Sequence, residues 1–249
     1  MLILIKFMDR IKVLLKSCIF LLAYIFHRNH DSKVIYYHDV SKKYTDMGTE
    51  LELMKRHFKL VRVSGYSFVP SVNQPKGQVM VCFDDGWRGL YDYKDFFVQE
   101  RILPTVFIAV SLIGEEGYLS IEQIKELEEL GFRFECHAWS HYDLSTYSER
   151  DLEHELKDSK EWLEKTFGHP FNDICYPQGR FSDTVHKLCN RYGYVRQFSS
   201  ISGGYYDLNE QGLVCRNCAQ FSSPSEFKWM LNSTSTFYKK RLMKQHYQQ

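Results

Sequence analysis

The chain has 249 residues, 44% of them hydrophobic and 25% charged, which excludes a disordered chain, a collagen-like repeat and a multi-span membrane bundle. Lys and Arg number 32 against 31 Asp and Glu, a formal charge of +1, so no overall field recruits nucleic acid. The 18 Phe, 17 Tyr and 4 Trp are enough to fill a core and still offer flat faces to a ligand.

Residues 1–28 are apolar but interrupted by Lys6, Asp9, Arg10, Lys12 and Lys16, and the longest clean run, 17–26, is too short to span a bilayer. A cationic amphipathic helix lying on a membrane surface is the preferred reading. A signal anchor without a cleavage site and a helix packed on the domain are the alternatives. The side of the membrane is left open, the cytoplasmic face preferred over an exported one. Residues 1–30 therefore form a membrane-associating segment, 31–235 one domain, and 236–249 a polar tail.

After residue 30, short β-rich runs alternate with helical patterns. The strand candidates are 34–40, 79–85, 104–110, 133–138, 173–178, 194–200 and 213–219. The helix candidates are 49–61, 88–101, 120–130, 148–167, 181–192 and 224–235. Thr49…Glu52, Ser120…Gln123 and Ser223…Glu226 match the capping box, and Ser148…Asp151 is a weaker version. Leu152, Leu156, Leu163 and Phe167 form an apolar stripe at helical spacing. Strands alternating with helices imply a parallel sheet, and seven units imply a single-domain α/β chain folded as a distorted (β/α)7 TIM-like barrel. A doubly wound open sheet is the alternative. In a barrel, chemistry belongs at the C-terminal ends of the strands.

Cysteines stand at 18, 82, 136, 175, 189, 215 and 218. A chain this long needs no disulfide framework, and they read as reduced structural residues. The lone Cys215-Arg216-Asn217-Cys218 motif has no second pair to complete a zinc site.

Polar residues gather where a barrel would place its chemistry. The second run ends Cys82-Phe83-Asp84-Asp85-Gly86, and two adjacent carboxylates after an apolar strand are costly without a partner or a metal. The fourth run ends His137-Ala138-Trp139-Ser140-His141, and with Asp85 the histidines make a two-His, one-carboxylate set with open coordination positions. Such a site suits hydrolysis. The fifth run leads into Tyr176-Pro177-Gln178-Gly179-Arg180, a turn able to aim a backbone N–H at an oxyanion. His38 ends the first run; spacing alone leaves it catalytic or structural. His57, His154, His169 and His186 fall in helix or turn patterns and read as surface residues.

In this order, Phe83-Asp84-Asp85-Gly86, His137…His141 and Tyr176-Pro177-Gln178-Gly179 resemble the polysaccharide deacetylases of the NodB-homology, carbohydrate esterase family 4 type, over about 34–231. The Tyr37-His38-Asp39-Val40 segment is similar to the subgroup acting on poly-N-acetylglucosamine. The resemblance implies a distorted (β/α)7 barrel and a divalent metal, zinc foremost with Co, Ni or Mn as alternatives, on Asp85, His137 and His141. It implies Asp84 as the base activating a metal-bound water, Gln178 as backbone donor to the oxyanion, and His38 as the acid that protonates the departing amine. Trp87, Trp139, Tyr176, Gly179 and Arg180 are candidate substrate contacts. The chain departs from the family pattern in three places. Cys82-Phe83 precedes the Asp pair in place of Thr. Cys175 stands where an Arg often braces the base. No Leu-His motif closes the chain, His246 lying in the polar tail. The implied activity is removal of N-acetyl groups from amino sugars of a polysaccharide or glycolipid-linked glycan. A deformylase acting on a lipid-linked amino sugar and a non-catalytic carbohydrate-binding relative are the alternatives. The sequence sets no oligomeric state.

Overall fold

The structure is a computed structural model that describes residues 29–43, 45–208, 212–232 and 245–248. The amphipathic segment expected over 1–28 lies outside the described residues, as does most of the tail 236–249. Chain order is β1 (Lys33–Tyr37), β2 (Asp39–Ser41), β3 (Gly48–Glu50), α1 (Leu51–Val63), β4 (Ser67–Phe68), β5 (Gln78–Phe83), α2 (Gly89–Asp92), α3 (Lys94–Glu100) and β6 (Thr105–Ile108). There follow α4 (Ile121–Glu129), β7 (Arg133–Cys136), α5 (Glu149–Glu153), α6 (Ser159–Phe167), β8 (Asp173–Cys175), β9 (Phe181–Ser182) and α7 (Asp183–Arg191). The last elements are β10 (Arg196–Phe198), β11 (Leu213–Val214), β12 (Asn217–Cys218), α8 (Pro224–Asn232) and β13 (Tyr247–Gln248).

Parallel pairing runs in the order β11-β10-β8-β7-β6-β5-β1-β12, with β4 added beside β5. Six of the seven expected strands are β1, β5, β6, β7, β8 and β10. The seventh is broken. Its first half, β11, pairs with β10 and its second half, β12, pairs with β1, so one interrupted strand supplies both edges of the curled sheet. This is the distorted parallel barrel that the strand count implied, in a single α/β domain.

Alternation along the strands divides the apolar residues into two sets. Ile35, Tyr37, Val81, Phe83, Val106, Ile108 and Ile174 share a cluster with helix residues Phe58, Phe97, Leu127, Leu156 and Phe227, the layer between sheet and helices. Val34, Tyr36, Met80, Cys82, Phe107, Cys175 and Phe198 form a second cluster without helix residues, the barrel interior. On the inward parity the next residues beyond Tyr36, Cys82 and Glu135 are His38, Asp84 and His137. The register Tyr37↔Phe83 sets His38 level with Asp84, and Cys136↔Ile174 sets His137 level with Cys175. At the other end of the barrel, Arg196 pairs with Asp173 and Arg133 reaches both Glu135 and Asp173. Burial and the neighbouring Asp173 push the Glu135 carboxyl up.

Helix starts follow the local chemistry in three of four places. Ser120 and Gln123 form a reciprocal capping box on α4, Ser223 and Glu226 do so on α8, and the Ser148 hydroxyl accepts the Asp151 N–H on α5. Thr49 does not cap α1. It is drawn into β3 by pairing with Val40, and Glu50 takes the cap position without a side-chain bond. The expected helix over 148–167 is one rod of α5 and α6 joined by a π turn at His154–Asp158. His57, expected at the surface, is fully buried on α1, between the Tyr37 hydroxyl and the Ser222 carbonyl and stacked 4.1 Å from the Phe227 ring. His154, His169 and His186 keep to the outer layer, paired with Asp158, Glu128 and Gln197. None of the six described cysteines is joined in a disulfide.

Candidate active site

A cleft of about 400 Å3 opens at the C-terminal ends of the strands, lined among others by His38, Asp84, Asp85, His137, His141 and Gln178. The backbone bends sharply to bring these residues together. Of the five described non-glycine residues at positive φ, Asp85, Ala138, His141 and Gln178 belong to the site motifs, and the fifth, Arg101, ends α3. Left-handed backbone costs an L-residue about 1–2 kcal/mol each, strain that the surrounding barrel has to hold.

Asp85 Oδ1 lies 2.9 Å from His141 Nε2 and 3.4 Å from His137 Nε2, yet it is a buried oxygen to which neither imidazole makes a well-aligned hydrogen bond. His137 Nδ1 is 2.7 Å from the Cys175 carbonyl. A carbonyl only accepts, so Nδ1 carries the proton, and Nε2 of the neutral ring turns a bare lone pair toward the carboxylate. Donor atoms bound at about 2.1 Å with angles of 90–110° sit about 3.0–3.4 Å apart, close to these separations. A carboxylate oxygen and two imidazole nitrogens converging at these separations fit a divalent cation. Trp87 fixes the other carboxylate oxygen, its indole N–H donating to Asp85 Oδ2 at 3.1 Å. Burial alone would raise the Asp85 carboxyl, but the two imidazoles, when protonated, hold it below the ordinary carboxylate range.

Asp84 is held differently. Arg216 forms a two-pronged pair with it, Nη1 to Oδ1 at 2.6 Å and Nη2 to Oδ2 at 2.9 Å, with both side chains buried. Burial opposes charge on Asp84, and the guanidinium outweighs it, so the carboxyl stays below its usual value and ionised. Arg216 lies over the Tyr36 ring at 4.2 Å and donates Nε–H to the Ser199 carbonyl. It occupies the break in the seventh strand. That residue is the brace missing from position 175, supplied from the opposite edge of the sheet. The sequence carried it only as the second residue of a CxxC pair that forms no disulfide. Asp84, His137 and Cys175 also cluster. Arg216 occupies both Asp84 oxygens, and burial keeps the Cys175 thiol protonated, so this trio is no ligand set.

His38 stands at the cleft with Nδ1 2.5 Å from Gln220 Oε1. Gln178 is exposed in a tight turn whose own hydrogen bonds run from Gly179 N to Tyr176 O and from Arg180 N to Pro177 O, leaving the Gln178 N–H outside them. Gly179 permits this turn. Its φ is +67°, and a Cβ there would meet Ser200 at 2.3 Å. His246, read from the sequence as part of a polar tail, reaches the cleft beside Gly179, and burial lowers its pKa.

Of the side chains expected at the rim, Tyr176 and Gly179 line the cleft, while Trp87, Trp139 and Arg180 stand outside its lining. The Tyr176 ring has no exposed face; it stacks on Phe181, with its hydroxyl on Gln197 in the helix layer. Trp139 lies outside the cleft lining, against His154 and Trp162, while its backbone N–H donates to Glu155. Trp87 is stacked on Tyr118 and spends its polar edge on Asp85. Arg180 is paired with Asp143, also outside the lining.

Comparison with known proteins agrees with this geometry. Residues 71–196 match the family model described as polysaccharide deacetylase. The chain is 27% identical over 142 residues to the peptidoglycan-N-acetylmuramic acid deacetylase PdaA of Bacillus subtilis, covering 56% of this chain and 52% of that protein. It is 26% identical over 176 residues to B. subtilis YxkH, covering 65% of this chain and 61% of that protein. The chain thus spans between half and two thirds of the length of these curated relatives. Among solved structures, the fold matches the Streptococcus pyogenes deacetylase PplD in complex with acetate, TM-score 0.72 at 21% identity, over 81% of this chain and 98% of that one. It also matches IcaB from Ammonifex degensii, TM-score 0.73 at 20% identity, over 82% and 98%. With the matched region covering half of its length, the chain belongs to the polysaccharide deacetylase family.

Proposed function

We propose that the chain is a metal-dependent hydrolase that removes N-acetyl groups from amino sugars of a polysaccharide or glycolipid-linked glycan. The observation that carries this reading is the pairing, in one cleft, of an ionised Asp84 locked by Arg216 with an Asp85–His137–His141 cluster whose central oxygen has no hydrogen-bond donor. A ligand set needs only the cluster; an oriented carboxylate beside it is what hydrolysis adds.

A divalent cation held by Asp85, His137 and His141 supplies Lewis acidity toward the acyl oxygen and toward water; two imidazoles and one carboxylate suit zinc, with cobalt, nickel or manganese as alternatives. The chain's own groups divide the remaining work. Asp84 accepts a proton from the attacking water, its orientation set by the guanidinium. The Gln178 N–H donates to the oxygen on which charge develops. His38, level with Asp84 on the neighbouring strand, delivers a proton to the nitrogen that departs. The adjacent carboxylates argue against a glycosidase, which separates its two acids by about 5 Å or more. The apolar, lysine-bearing residues 1–28 would hold the domain at a membrane surface, tested by flotation of the full chain with anionic vesicles.

Metal analysis of the purified full chain, coupled to a screen for acetate and formate release from peptidoglycan, chitin oligomers and poly-N-acetylglucosamine, tests the reading. One bound divalent ion and acetate release support it. Formate release alone assigns the deformylase, and neither product from any amino sugar favours the non-catalytic relative.

A further inference from the structure

We infer that Gln220 is a positioning residue that fixes the tautomer of His38, so that the nitrogen facing the cleft is the one that exchanges a proton. The orientation of the Gln220 amide follows from its partners. Its Nε2 lies 3.1 Å from the Asp46 carbonyl, which can only accept, so the amide nitrogen is on that side and Oε1 faces His38. Oε1 can only accept, and His38 Nδ1 stands 2.5 Å from it, so Nδ1 holds the hydrogen. The neutral ring then has a bare Nε2, and the protonated ring has its transferable proton there.

Gln220 is built for this task rather than placed by chance. It is buried, two residues beyond β12, and the Ala219 N–H continues the ladder by donating to the Tyr36 carbonyl, which ties the Gln220 backbone to the strand that leads into His38. Three separate elements meet through the amide: the end of β1, the end of β12, and the loop at Asp46 that also carries the cleft residue Met47. The titratable groups that share the cleft with His38 are Tyr36 on β1, Asp84 and Asp85 beyond β5, His137 and His141 beyond β7, Tyr176 beyond β8, Cys218 on β12, and His246. None of them takes its Nδ1. A neutral amide sets the tautomer without the added charge that a carboxylate partner would bring.

In the deacetylase reading, on which the catalytic consequence rests, the C–N bond breaks as Nε2–H of protonated His38 passes its proton to the amine. The ring returns to neutral with Nδ1–H still on Gln220. Without the amide the ring can carry its hydrogen on either nitrogen, and a neutral ring with Nε2–H cannot take up the next proton at the cleft.

The test uses the metal-loaded full chain with 15N-labelled histidine, His38 being assigned by the signal lost in His38→Asn. Wild type should show the Nδ1–H pattern. Gln220→Leu should show Nε2–H or an averaged pattern, with kcat down at least about tenfold and KM within about twofold. Gln220→Glu, which keeps the acceptor, should restore the Nδ1–H pattern, control for folding, and move the alkaline limb of the pH–rate profile upward. An unchanged tautomer in Gln220→Leu overturns the inference, and so does a changed tautomer with an unchanged kcat. The two readings fail separately. A wild-type chain that releases no acetate while the tautomer responds to position 220 removes the deacetylase assignment and leaves Gln220 in control of His38.

Discussion

Arg216→Met should cost about 3–5 kcal/mol, the price of leaving one member of a buried ion pair alone. Asp84 and Arg216 are both buried and joined by two hydrogen bonds of 2.6 and 2.9 Å. Methionine keeps much of the volume beside Tyr36 but offers no donor, so the Asp84 carboxylate loses its guanidinium partner. Against a typical domain stability of about 5–15 kcal/mol, that loss moves the urea midpoint by a large fraction of its wild-type value. The double variant Asp84→Asn with Arg216→Met removes both charges and should be more stable than the sum of the singles predicts, by about 1–3 kcal/mol. Equilibrium urea unfolding at neutral pH, followed by tryptophan fluorescence and circular dichroism, measures all three. A loss below about 1 kcal/mol in the single variant, or strict additivity in the double, would refute the claim that the pair locks the base.

Other consequences are as direct. Burial lowers the His57 pKa to about 4, so the folded state resists a proton that the unfolded chain accepts near 6.5. This contribution leaves stability untouched above pH 6.5 and reduces it as pH falls toward 4, by about 3 kcal/mol; His57→Gln should flatten that part of the wild-type stability–pH curve, and parallel curves would contradict it. Gly179→Ala places a Cβ against Ser200 at positive φ, a cost of about 2–4 kcal/mol readable as a lowered Tm together with lost turnover. Chelation should lower the Tm of the wild type and leave Asp85→Ala unmoved, because a ligand held at 100 times its Kd stabilises by about 2.7 kcal/mol. An equal response in both proteins would place the cation elsewhere.

What the sequence made legible was whatever is encoded locally. Alternation and helical stripes located the strands and most helix starts, since period and caps are properties of short windows. The motifs Asp84-Asp85-Gly86 and His137…His141 announced a cluster because their residue types are costly at strand ends unless they are used. The residues that serve them came from afar. Arg216 is the partner of Asp84 only because the seventh strand breaks and closes the barrel around it, 132 positions away. Gln220 meets His38 across 182 positions by the same closure. Exposure was equally hidden: Tyr176 and Trp139 sit next to site residues in sequence, but alternation and packing turn their rings into the helix layer. His57 looked like one polar residue on an amphipathic helix and is fully buried, because Tyr37 and Ser222 satisfy both its nitrogens.

The central claim is that Asp85, His137 and His141 hold a cation while Asp84 serves as base. Asp84→Asn tests it most directly, since the amide keeps an oxygen for one Arg216 N–H and removes the proton acceptor, while the loss of the charge opposite Arg216 is controlled by working on folded protein. Metal content and acetate release are measured on the same folded preparation, with the wild type beside it. The account predicts an unchanged metal stoichiometry and turnover reduced by about 100-fold or more. Retained turnover with metal still bound would contradict it.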